Sequence, residues 1–87
     1  MHLTSDQSAP VLNRLKRARG QFDAVIRMVE EGRDCREVVT QLSACSKAVD
    51  RAGFALISTA LRTCAVEDEE HREENIAALE KLFLTLS

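Results

Sequence analysis

Residues 35–64, CREVVTQLSACSKAVDRAGFALISTALRTC, contain no proline and one glycine, Gly53. Within them Val38, Leu42, Cys45, Val49, Ala52 and Leu56 recur at alternating steps of four and three. That heptad-like seam commits the segment to one long helix lying against another helix. Asp34 suits the N-cap, and Glu37 three residues on completes a capping box. The pattern predicts helix 2 over about residues 35–65. Thirty residues at 1.5 Å each make a rod of about 45 Å. A chain of 87 residues cannot wrap such a rod by itself, so burial against a second copy is expected.

The flanking segments read as helices too. Val11, Leu15, Ala18, Phe22, Val25, Ile26 and Val29 mark one face of helix 1, expected over about 9–31. Ser8 is its candidate N-cap, Pro10 sits just inside its start, and Gly32 stops it. Residues 1–7 are expected to be disordered. The acidic turn Glu67–Glu74 leads into helix 3, about 72–86, with Ile76, Leu79, Leu82, Phe83 and Leu86 on its apolar face. One proline and three glycines leave few turn signals for a strand-rich fold. The expected fold is all-α: a single domain spanning 1–87, forming an antiparallel helical homodimer that pairs again into a tetramer.

The N-terminus MHLTSDQSAP is polar, and no apolar run approaches membrane-spanning length. A cytoplasmic location is expected, where cysteines serve more often as metal ligands or redox sensors than as structural disulfides. Paired catalytic carboxylates, a Cys/His pair in a suitable context and a glycine-rich phosphate loop are all missing, which argues against an enzyme. The net charge of −2 conceals an uneven distribution. Residues 10–20 carry Arg14, Lys16, Arg17 and Arg19 and no acid, whereas residues 67–74 carry six acids against Arg72. The basic run is either a solvated helix face or a surface for phosphates.

All three cysteines fall in or beside helix 2, at Cys35, Cys45 and Cys64. On a straight helix, Cys35 and Cys64 stand about 43 Å apart, whereas a disulfide needs Cα atoms within about 7 Å. An intrachain bond is therefore forbidden. If helix 2 packs antiparallel on its own copy, with the two-fold axis midway between residues 49 and 50, residue 35 lies opposite residue 64 of the partner. Two identical dithiol sites result, one at each end, with both sulfurs expected to face the seam. The plain alternative is that all three thiols are small buried hydrophobes, and for Cys45 that is the preferred reading. Cys35 sits at a helix N-terminus beside Arg33 and Arg36, which puts positive charge near a nucleophilic sulfur. His2 and His71 are expected to be solvated.

The segments LNRLKRARGQFDAVIRMVEEGRDCREVVTQLSA and KAVDRAGFALISTALRTC resemble the CsoR/RcnR family of small all-helical transcriptional repressors over roughly residues 11–86. The resemblance implies a three-helix protomer, an antiparallel dimer and a tetramer. It implies operator-DNA binding while a sensor site is empty and release when it is filled. Arg14 and Arg51 match DNA-contacting arginines of the family, and Lys16, Arg17, Arg19 and Lys47 extend that basic surface. Copper-sensing members place Cys at Cys35 and a His-x-x-x-Cys pair ending at Cys64, but here the histidine position is Ala60. A further glutamate of those sensors falls near Ala78. The remaining Cys–Cys pair is most similar to the CstR-like branch, which responds to persulfides and other reactive sulfur species through bridges between protomers. That branch implies no cofactor and the control of sulfur-handling genes. A Cu(I)-responsive repressor using Cys35 and Cys64 is the alternative, since thiolates alone bind Cu(I). A helical protein-interaction module with inert cysteines is a third reading.

Overall fold

The computed structural model covers residues 1–87 and contains helices and turns only. Helix α1 runs Ser5–Glu30, α2 Cys35–Arg62, α3 is the single turn Cys64–Glu67, and α4 is Arg72–Leu86, preceded by a 3-10 turn at Glu69–His71. None of the helices is long and apolar enough to cross a membrane.

α1 and α2 form an antiparallel hairpin. Gly32 lies at φ 68°, a left-handed conformation that an L side chain resists. The Arg33 N–H donates to Met28 O and the Gly32 N–H to Val29 O, the paired bonds of a Schellman stop. Asp34 then caps α2, its Oδ2 accepting from the Arg36 N–H at 3.0 Å. Every seventh residue of α1, Val11, Ala18 and Val25, is buried, and Cys45 and Ala52 of α2 are buried opposite them. Small side chains let the helices approach closely: the Cys45 Sγ lies 3.9 Å from Ala18 O.

Both helical stripes seen in the sequence are split by this packing. The residues offset by four, Leu15, Phe22 and Val29 on α1 and Leu42, Val49 and Leu56 on α2, remain 41–61% exposed. An offset of four residues turns a side chain by about 40° around its helix. On antiparallel helices that rotation carries both outer stripes to the same side of the hairpin. The chain measures 54 × 26 × 14 Å, so its thin dimension is little more than one helix diameter; α4 borders this side beside Leu56, and Leu42 and Val49 stay exposed.

α4 folds back onto the C-terminal half of α2. Phe54 and Phe83 meet at 5.3 Å between ring centroids. A Cβ placed at Gly53 would lie 3.1 Å from Leu86 Cδ1, so the missing side chain admits the end of α4. Ala60, Cys64, Ala65 and Leu79 form a second small core, with Leu3, Leu61 and Ile76 packed against it.

Two boundaries differ from expectation. Helix 1 starts at Ser5 rather than 9, and its N-cap is Thr4, not Ser8. Thr4 and Gln7 form a reciprocal capping box, Thr4 N to Gln7 Oε1 at 2.9 Å and Gln7 N to Thr4 Oγ1 at 3.1 Å. Within the segment expected to be disordered, Ser5–Gln7 are thus helical, Thr4 caps them and Leu3 packs on the second small core. Helix 2 ends at Arg62, not 65: the backbone turns at Thr63 (φ −123°, ψ −90°) and restarts as α3. Arg72 Nε and Nη2 both donate to Val66 O, closing the turn before α4.

Candidate functional site

The basic run divides by helical geometry. Arg14, Arg17 and Gln21, spaced at i, i+3 and i+7, share one side of α1. With Ala48 and Arg51 of α2 they line a cleft of about 110 Å³. Counting rotation along each helix from its buried stripe, the cleft opens on the side of the hairpin opposite the exposed apolar stripes. The arginine ion pairs of the chain are Arg33 with Glu31 and Arg33 with Glu37. The three guanidiniums of the cleft are therefore free of carboxylate partners. Gln21, not singled out in the sequence, has its Oε1 buried there without a hydrogen-bond partner. Its spacing of seven from Arg14 was the available signal.

Lys16, Arg19 and Lys47 are exposed but do not line this cleft. Lys16 and Arg19 project from other sides of α1, 100° per residue away from the Arg14 row, and Lys47 stands on the outer edge of α2. An arrangement of forked, permanently charged donors with no internal acid suits phosphate oxygens.

The thiols are kept apart within the protomer. Cys35 is exposed in the first turn of α2, in an open depression with Arg36, Val39 and Thr40. It heads the outer stripe Cys35, Leu42, Val49, Leu56. Cys64 lies beyond the far end of α2 and is buried, its Sγ 3.7 Å from Ala60 O. Cys35 is therefore open to solvent in line with the exposed apolar stripe, whereas Cys64, expected to face a seam as well, is buried within the chain. Cys64 opens α3 just past the break at Thr63 and joins Ala60 of α2 in the small core under α4. Arg33, expected to add positive charge beside Cys35, is instead held by Glu37 at 3.0 Å and Glu31 at 3.7 Å. Cys45 is buried between α1 and α2. No three His, Cys, Asp or Glu side chains of the protomer gather as a metal cage. Ala60, one turn before Cys64, is itself buried. His2 is exposed, and His71 pairs with Asp68 at 3.0 Å.

A family model described as "Metal-sensitive transcriptional repressor" matches residues 7–85. The chain belongs to this family. Its members are repressors rather than enzymes. The chain is 41% identical over 63 residues to the copper-sensing transcriptional repressor CsoR of Mycobacterium ulcerans, a match covering 72% of this chain and 54% of that protein. It is 30% identical over 66 residues to the copper-sensing repressor CsoR of Bacillus subtilis, covering 76% of this chain and 65% of that one. It is 51% identical over 47 residues to the uncharacterized protein YrkD of Bacillus subtilis, covering 54% of this chain and 75% of that one. The chain thus spans about half the length of the mycobacterial relative. No solved structure matches it.

Proposed function

We propose that this family member is a cytoplasmic homo-oligomeric repressor that grips operator DNA through the Arg14, Arg17 and Arg51 cleft and releases it on binding Cu(I). The observation that carries the reading is the placement of Cys35 at the head of the uncovered stripe. Pairing that stripe antiparallel with a second copy buries Leu42, Val49 and Leu56 and sets Cys35 over the partner's Cys64 end. The relatives named copper-sensing favour Cu(I) as the inducer. The donor set fits: two soft sulfurs suffice for Cu(I), whereas harder or tetrahedral ions want further ligands. Cys35 and Cys64 would hold the ion between protomers. Because Cys64 is buried beneath α4, its engagement requires repacking around Ala60, Ala65 and Leu79. Arg14 and Arg17 ride on α1 and Arg51 on α2, so any shift between these helices changes the spacing of the guanidiniums and their fit to phosphates.

The absence of a third ligand at Ala60 favours a second reading, in which a polysulfide is the inducer. One thiol takes up sulfane sulfur, with the shortened polysulfide leaving. The other attacks that persulfide, expels hydrosulfide, and forms a bridge between protomers, the donor being the oxidant. Sulfur-handling genes would then be the natural targets. A DNA-shift titration separates the readings. Release by Cu(I) at one equivalent per protomer supports the first. Release only by polysulfide, with a covalent dimer on non-reducing gels, supports the second.

A further inference from the structure

We propose that the N-terminal segment, residues 1–4, is a strap that closes over Cys64 and controls access to it. The inference rests on the dithiol reading above and adds how that site is opened. Cys64 is 5% exposed, yet either inducer must reach its sulfur. Its core is walled by Ala60, Ala65 and Leu79, with Leu61, Ile76 and Leu3 packed around them. All of these except Leu3 sit on α2, α3 or α4, whose mutual packing is the fold itself. Leu3 alone lies outside any helix, so it is the wall that can leave without a helix unravelling.

One side chain holds the strap in place. The Gln7 amide accepts from the Thr4 N–H through Oε1 and donates from Nε2 to Glu67 Oε1 at 2.9 Å. It thereby joins the strap, the first turn of α1 and the helical turn that carries Cys64. These hydrogen bonds are exposed, and exposed bonds open readily in competition with water.

The test measures alkylation of each cysteine by iodoacetamide in the reduced, full-length protein, resolved by mass spectrometry. Gln7→Ala and Leu3→Ala should each speed labelling of Cys64 about tenfold, the factor that 1.4 kcal/mol of lost closure gives. Glu67→Gln, which keeps an amide oxygen to accept from Gln7, should stay close to wild type. Cys35, exposed in every variant, should react at an unchanged rate. Cys45, buried between α1 and α2, reports folding and should stay protected. Unchanged Cys64 labelling in both strap variants overturns the proposal. So does a parallel rise at Cys45, which means general loosening. Neither result bears on inducer-dependent DNA release, so failure of the strap and failure of the dithiol reading are separable.

Discussion

Val49→Asp should dissociate the oligomer without unfolding the protomer. If Cys35 of one copy faces Cys64 of another, the two-fold axis passes beside residue 49, and the two Val49 side chains meet each other. Val49 is 50% exposed in the protomer. Full burial of a valine side chain is worth roughly 1.5–3 kcal/mol, so covering the remaining half contributes about 1 kcal/mol per copy, and the substitution removes it twice. Two carboxylates about 5 Å apart repel by about 3 kcal/mol at an effective dielectric constant of 20. Together the loss is about 5 kcal/mol, which raises the dissociation constant between three and four decades. Sedimentation equilibrium across nanomolar to micromolar protein reads it directly, with far-UV circular dichroism as the check on folding. Ala44→Asp places the same charge on a solvent-facing side of α2 and should leave assembly intact. An unchanged dissociation constant for Val49→Asp, or equal effects of the two variants, refutes the antiparallel register.

Further outcomes follow from the geometry. Arg14→Ala, Arg17→Ala and Arg51→Ala should each weaken operator binding and flatten its log–log salt slope by about 0.9, read by fluorescence anisotropy. Lys16→Ala and Arg19→Ala, away from the cleft, should change that slope by less than half as much. Gly32→Ala forces a side chain into left-handed backbone and should cost about 1–2 kcal/mol, lowering the thermal midpoint by several degrees in calorimetry. Cys45→Ser should lose about 1 kcal/mol of stability in urea titrations yet leave inducer-dependent DNA release intact.

The helical class and the hairpin were legible because their signals are local. A proline-free apolar period, Gly32 and Asp34 each act within a few residues. What periodicity could not say is which half of each stripe turns inward. Positions 11, 18 and 25 and positions 15, 22 and 29 differ by only about 40°. Ala18, Cys45 and Ala52 decide it, since small side chains permit close helix approach and leave Phe22 and Val49 outside. The start of α1 was also written in the sequence, as Thr4 and Gln7, but Ser8 before Pro10 made an equally good local signal. Thr4 wins through tertiary support from Leu3 and Glu67. The break at Thr63 has no glycine or proline to announce it, and the burial of Cys64 comes from long-range packing, with Leu79 and Ile76 of α4 and Leu3 closing over Ala60 and Cys64. Of the six basic positions proposed for DNA, the fold gathers Arg14, Arg17 and Arg51, because pairing across α1 and α2 cannot be counted along a single helix.

The claim that the sensing site is shared between protomers is tested most directly by mixing two dead variants. Cys35→Ser and Cys64→Ser homo-oligomers should each fail to bind Cu(I) tightly in a competition with a Cu(I) chelator. Co-refolded together, they form mixed dimers in which one end holds an intact Cys35 and Cys64 and the other holds two serines. Such dimers should recover one tight Cu(I) per dimer, against two for the wild type, and should release operator DNA when it is filled. Mixed dimers that bind no more Cu(I) than the single variants, beside a wild type that binds two, would contradict the shared site.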